Sequence, residues 1–462
     1  MRNKSAANSS DIAINGILMV VADSPVNFNK NNVKDCSSKS TPHTPRTKTF
    51  RLRPRTMEIS SNFCFFKSLA VFLIIALNCS VSAASEKQDA ILKKVTSANN
   101  EFALNLYQSL AKNSSNLFFS PTSIFIALGM LYDGARGETA SELRNTLGFE
   151  KAQLSPEEVD LSFNYLLNNV FVSTKNYTLT TANAILIDHR LKVLAEYRNK
   201  MQNYFQAKVQ DVDFFKDRSK VEQLINYWVN SKTMGKIPRL VENLSPDTIM
   251  ALLNAVYFKG LWEIPFDKES TRPAEFYNNG LKSKAKIVRT MHMSRRILYA
   301  SSPDWQIVEL PYIGKNLSMM ILLPEEQKGL EDLENSLTIR QIIEVRETLR
   351  PTTVSISLPK LRMECSMNLK RHLESMGLKN IFRDADFSGM VEKLDVRVSN
   401  VEHKALVEIT EEGTEAAGVT GVFIVPMRAT WPKLFKVNRP FIFTIMDTQS
   451  NTLLFIGRVM SV

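Results

Sequence analysis

The sequence predicts an α+β fold. Helical periodicity is gathered in the first half, short continuous apolar runs in the second, and no internal repeat or regular strand and helix alternation divides residues 85–462. From Ile91, apolar residues recur at Val95, Ala98, Phe102, Leu106 and Leu110, three or four apart, and stop at the polar turn Asn113-Ser114-Ser115, the pattern of an amphipathic helix. Ser120 followed by Pro121 supplies an N-cap with proline at the first helical position. The stretch that follows, residues 124–131, is apolar on all sides and must lie inside. Another helix is expected from Gly137 through Leu143 and Leu147, with Gly148 placed to end it, and a further one on the face Ile225, Trp228, Val229, ending near Gly235. The later runs Ala251 to Phe258, Leu317 to Leu323, Val354 to Leu358 and Phe441 to Met446 are short, and several are bounded by Pro or Gly. They are expected to be strands buried on both faces. Asp447 to Asn451 then separates the last of them from LLFIGRV, which predicts a C-terminal hairpin.

A chain of 462 residues with 44% hydrophobic and 23% charged residues can bury a large core. Its net charge of +11 is no argument for a nucleic-acid or membrane partner, because residues 1–84 carry +7 of it and the rest is an ordinary surface. Residues 1–56 are rich in Ser, Asn, Pro and basic residues; they are expected to be disordered, or to lie upstream of a translation start at Met57. Residues 57–84 read as a secretory signal peptide, with Lys67 before the apolar run Leu69 to Leu77 and the small-residue motif Val81-Ser82-Ala83 after it. The run is short for a membrane span, so a secreted, extracellular domain over 85–462 is expected. Of four cysteines only Cys365 follows the cleavage site, so no intrachain disulfide forms and Cys365 reads as a structural thiol. Sequons at Asn113, Asn176, Asn243 and Asn316 are then candidate glycan sites.

Catalytic signatures are missing: no G-x-S-x-G, Gly-rich phosphate loop, H-E-x-x-H or C-x-x-C occurs, and the five histidines lack ligand spacing. No enzyme, cofactor or metal is expected. One stretch stands out. Between VEHKALVEIT and FIFTIM runs a connection of 30 residues, far longer than the median loop. In strand conformation Thr414, Ala416, Gly418, Thr420, Val422 and Ile424 would all face one side, a small and uncharged face suited to the inside of a sheet. A flexible Gly/Ala-rich connection fits the same composition, and the residues alone leave both readings open.

At this point the chain resembles the serpin family, over about residues 90–462. EEGTEAAG at 411–418 is similar to the family's loop hinge, and FKVNRPFIFTI at 435–445 to its C-terminal strand signature. NLFFSPTSI, GARGETASEL, INYWVNSKTMGKI and LNAVYFKGLWEIPF are similar to further motifs in the family's order. The resemblance implies three β-sheets, about nine helices and an exposed reactive-centre loop that a target serine protease attacks, forming a covalent acyl complex before the cut loop inserts into the largest sheet. It implies a hinge at Glu411, Gly413, Thr414, Glu415, Ala416, Ala417 and Gly418. Ser120, Ser123, Asn254 and His403 fall where the family places the polar cluster that governs sheet opening, and Trp262 near the point where the loop first inserts. The family's spacing sets the reactive bond at Met427-Arg428, with Met427 suiting elastase-like or chymotrypsin-like proteases; a register one residue later would give Arg428 and a trypsin-like target. The main rival is a non-inhibitory relative, a carrier, chaperone or storage protein, although residues 414–420 lack the bulky, charged inward residues or proline such members carry. A monomer is expected. Heparin is not expected to act through residues 150–172, which are acidic.

Overall fold

The structure, a computed structural model, describes residues 61–462 apart from 113–114, 327–328, 337, 393–395 and 415–430, with side chains from residue 86 onward except those of 336, 339 and 340. Backbone contacts divide the chain into Met1–Val71, described only for residues 61–71, which are helical, and Phe72–Val462, which carries every described strand. Nine α-helices occur among the described residues: α1 (Ser61–Leu110), α2 (Pro121–Gly134), α3 (Gly137–Thr146), α4 (Pro156–Tyr165), α5 (Ala195–Phe205), α6 (Arg218–Lys232), α7 (Leu330–Ser336), α8 (Ile339–Thr348) and α9 (Lys370–Ser375). The strands are β1 (Leu117–Phe119), β2 (Tyr177–Asp188), β3 (Lys208–Val212), β4 (Met250–Leu261), β5 (Arg272–Tyr277), β6 (Ala285–Ser301), β7 (Trp305–Pro311) and β8 (Leu317–Pro324). They continue as β9 (Arg350–Pro359), β10 (Leu361–Asn368), β11 (Asn400–Ile409), β12 (Gly413–Thr414), β13 (Lys433–Lys436), β14 (Phe441–Asp447) and β15 (Leu453–Val459).

Within α1 the predicted stripe Ile91, Val95, Ala98, Phe102 and Leu106 is buried. The helix starts well before that stripe because no Gly or Pro interrupts it from Ser61 onward. No helix among the described residues is long and apolar enough to cross a membrane. In α2 the Ser120 hydroxyl accepts the Ser123 N–H at 3.2 Å, as the N-cap signal predicts, and residues 121–131 are all buried. Gly129 lets α2 meet α4 closely: a Cβ there would sit 2.1 Å from the Phe163 ring. Phe163 in turn joins Phe125, Phe149 and Phe205 in one aromatic cluster.

Strands β4, β8 and β14 are buried almost throughout, as their continuous apolar runs predict. Strand β9 is not. Val354, Ile356 and Leu358 are buried but the intervening Ser355 and Ser357 are half-buried, so only one face of this strand meets the core. Its apolar residues lie at every second position, and an intervening serine tolerates solvent, which the expectation of two buried faces overlooked.

Nine strands form one hydrogen-bonded array, ordered β1-β15-β14-β8-β7-β6-β9-β13, with β5 also on β6. Two of the three expected sheets are joined in it through the 17-residue β6, whose first six residues pair with β5 and last four with β7. The third is a six-stranded sheet ordered β10-β11-β12-β4-β2-β3. Along β4, side chains alternate: Ala251, Leu253 and Ala255 meet Val221, Ile225 and Val229 of α6, while Leu252, Val256 and Phe258 enter the main core. Here lie the sequence-predicted polar residues.

Candidate functional site: a sheet closed at one end and open at the other

Strands β4 and β11 run parallel and pair from Asn400↔Ala251 to Leu406↔Tyr257. In the middle of this seam His403 stands opposite Asn254, and both are buried. His403 Nε2 accepts the Ser120 N–H at 3.2 Å, so the ring proton sits on Nδ1 and is donated to Asn254 Oδ1 at 2.5 Å. The Asn254 amide nitrogen lies 2.5 Å from Ser123 Oγ, 3.2 Å from Ser123 O and 2.6 Å from Asn183 Oδ1. Ser120 Oγ donates to Leu454 O at 2.7 Å, tying the cluster to β15. Ser120, Ser123, Asn254 and His403 are therefore brought together as a network across β4, β11 and the start of α2. Asn183 and Thr181, whose hydroxyl is 3.2 Å from Ser123 Oγ, also belong to it and were not singled out from sequence. Nothing in a strand-like run such as TLTTANAIL marks them; only the β2 to β4 register, which sets Asn183 against Asn254, does so.

Complete burial pushes the His403 imidazole down to about 3, so it is neutral at physiological pH. Unfolding exposes it to an ordinary value near 6.5. The unfolded chain then binds the extra proton, so stability is unaffected above about pH 7 and falls by up to about 1.4 kcal/mol per unit as pH drops from 6.5 toward 3. Between pH 7.5 and 5 His403 is expected to remove about 2 kcal/mol. Urea denaturation of the parent and of His403→Gln over this range measures it, and identical slopes in the two proteins would reject this assignment.

Beyond Leu406 and Tyr257 the seam changes. Gly413 and Thr414 form β12, which lies between β4 and β11, antiparallel to both, with Gly413↔Leu261, Thr414↔Gly260 and Ile409↔Thr414 as partners. Gly413 has φ +144°, and a Cβ on it would meet Gly260 O at 2.1 Å, so only glycine fits. Thr414 is fully buried, its hydroxyl 2.9 Å from Tyr312 Oη. The Tyr312 ring stacks on Trp262 at 4.7 Å between centroids, and burial raises its phenol far above the usual range. Trp262 Nε1 donates to Thr410 O at 3.0 Å and its backbone N–H to Glu412 O at 2.9 Å. Trp262 thus belongs to this open end and not to the His403 network, from which it is separated by eight residues of β4, about 27 Å.

Two buried carboxylates anchor the turn before β12. Glu411 accepts from Lys360 Nζ at 2.7 Å and from Thr271 Oγ1 at 2.8 Å. Burial alone would raise its carboxyl, but these bonds hold it below the usual range. Glu412 pairs with Lys268. Tyr312, Lys360, Thr271 and Lys268 carried no local sequence signal, since each reaches residues 411–414 from a distant strand or turn. Residues Glu415, Ala416, Ala417, Gly418, Met427 and Arg428 lie outside the described residues, as does Asn113. Among the other sequons Asn243 and Asn316 are exposed and Asn176 is half-buried. Cys365 is a free, half-buried thiol on β10 whose pKa burial raises, in keeping with an unreactive structural residue.

The description Serpin (serine protease inhibitor) matches residues 97–462. Iripin-2 of Ixodes ricinus is 40% identical over 399 residues, covering 85% of this chain and 98% of its own length. Intracellular coagulation inhibitor 1 of Tachypleus tridentatus is 39% identical over 372 residues, covering 79% of this chain and 88% of its own. Human thyroxine-binding globulin, solved with thyroxine, has a TM-score of 0.75 at 30% identity, over 80% of this chain and 99% of that one. The matched span takes in both strands of the seam, the buried His403 network and the turn into β12, and on these grounds the chain belongs to the serpin family.

Proposed function

We propose that this chain is a secreted inhibitor of serine proteases that works as a suicide substrate, cut at Met427-Arg428 and trapped as an acyl complex by insertion of its loop. The observation that carries the reading is β12: residues 413–414 are already paired between β4 and β11, at the mouth of a seam held shut further along by His403 and Asn254. Continuing the same register would bring residue 416 opposite Phe258, 418 opposite Val256 and 420 between Asn254 and His403. Each of these inward positions is Ala, Gly or Thr, small enough to pass between two buried strands. Thr420 arrives with a hydroxyl where the His403 to Asn254 bond must break, so the polar groups freed by opening regain a partner.

Fourteen residues from Gly413, Met427 would then lie about 45 Å away, beyond the far end of β4. A protease esterified to Met427 through its catalytic serine travels with it. Deacylation needs an intact oxyanion hole and triad, and dragging distorts both. Met427 favours an apolar specificity pocket, as in elastase-like or chymotrypsin-like enzymes. The leader at 57–84 supports secretion, and exposed Asn243 and Asn316 support glycosylation there.

Mixing the protein with an elastase-like or chymotrypsin-like protease is expected to give an SDS-stable band at the summed mass, together with a C-terminal fragment whose first residue is Arg428. A fragment beginning at Ala429 would move the specificity residue to Arg428 and the target to a trypsin-like enzyme. Clean cleavage with no stable band would overturn inhibition and leave a carrier or storage role.

A further inference from the structure

Beside the open end of the seam, on the side of Trp262 away from the His403 network, lies a cavity of about 380 Å³. Its walls are mostly apolar, with Trp262, Met293, Ile297, Leu298, Leu310 and Pro351 contributing. The volume falls in the range of sites that enclose small organic ligands. Charge gives the ligand its sign. Of the charged residues lining the cavity, Arg346 is bonded to Glu309 at 3.0 Å and Lys315 faces Glu263 at 3.7 Å. Glu309 is satisfied further by Ser318 Oγ at 2.6 Å. Arg296, exposed at the rim, has no hydrogen-bond acceptor or ion-pair partner among the described residues. Three cations against two carboxylates leave one uncompensated positive charge, and the pairing assigns it to a guanidinium at the mouth of an apolar chamber.

We infer that this cavity binds an amphipathic monocarboxylate, its apolar body against Trp262, Ile297 and Leu310 and its carboxylate on the Arg296 guanidinium. A planar carboxylate matches the guanidinium fork, and a rim position keeps the ion pair partly hydrated while the chain is buried. A neutral ligand of the same shape forgoes the ion pair, and a dianion brings a second charge with no partner. The inference does not depend on inhibition or on loop insertion. It requires only the cavity and Arg296.

Decanoate, titrated calorimetrically into the full chain, is expected to bind one site, with 1-decanol at least about tenfold weaker. Arg296→Ala and Arg296→Gln are exposed changes that leave the thermal midpoint of the unliganded protein in place, and both are expected to bring decanoate down to the affinity of decanol. A decanoate brominated at its chain end should quench indole emission, and Trp262→Phe should abolish the quenching and weaken calorimetric binding without removing it. Absence of saturable binding overturns the inference. So does decanoate affinity unchanged by both Arg296 variants, or quenching that survives Trp262→Phe, since either result locates the ligand elsewhere.

Discussion

On the proposed mechanism, Thr414→Arg is expected to turn trapping into simple substrate cleavage, raising the number of molecules of this protein consumed per protease from near one to above about ten. Thr414 is fully buried between β4 and β11 and its hydroxyl is bonded to Tyr312, while the carboxylates of the preceding turn, Glu411 and Glu412, are already engaged by Lys360 and Lys268. Placing an unpaired charge there costs several kcal/mol even after relaxation, so β12 should leave the sheet and everything behind it should follow more slowly. The reactive bond remains available, the protease still acylates and cleaves, and deacylation overtakes trapping. Near-ultraviolet circular dichroism should change as well, because Thr414 contacts the Tyr312 ring that stacks on Trp262. Glu415→Arg, one residue along, which strand alternation after insertion would set on the opposite face, is the control and should keep most of the inhibition. Equal losses in the two variants would remove the alternating-face argument. Undiminished trapping by Thr414→Arg would remove insertion itself.

Asn254→Ala is expected to produce the largest loss of stability, about 4 kcal/mol by urea denaturation. One amide here serves His403 Nδ1, Ser123 Oγ and Asn183 Oδ1, all buried. Truncation leaves two or three polar groups dry and unpaired, each costing about 1–3 kcal/mol. Asn183→Ala breaks only the bond to Asn254 and should cost about 1 kcal/mol. A loss below 1 kcal/mol for Asn254→Ala would mean that water or a neighbour replaces the amide, and that the network does not hold the seam.

Most of the architecture could be read from the chain before any coordinate, because it rests on local rules. The α1 stripe and the Ser120-Pro121 cap of α2 follow from spacing. The buried runs of β4, β8 and β14 follow from composition. The site was legible only in part. His403, Asn254, Ser120 and Ser123 came from motif resemblance, since a lone histidine in an apolar strand announces nothing about its partners. Their juxtaposition depends on a parallel register between residues nearly 150 positions apart, which no window of sequence encodes. Tyr312, Lys360 and Lys268 were missed for the same reason: each is an ordinary residue made significant by what crosses above it. Strand β9 shows the converse error: residues 354–358 read as a continuous apolar run with two buried faces, although Ser355 and Ser357 interrupt it and leave only one.

The pairing of β1 with β15 has a consequence for how the molecule is made. Thr96 on α1 bonds Thr452, 356 residues later, and Asn100 accepts the Leu453 N–H. Asn116 holds the backbone of Met460 and Ser461, and Phe118 lies opposite Gly457. Among the described residues β1 therefore has no strand to pair with until Leu453–Val459 leave the ribosome. At roughly 5 to 20 residues per second that interval is on the order of 20 to 70 s. Throughout it helix α2 can already meet α4, as Gly129 meets Phe163, but it lacks β15, against which it also packs. A stop codon before Leu453 would remove β15 and with it the strand partner of β1 and the Leu453 N–H that Asn100 of α1 accepts.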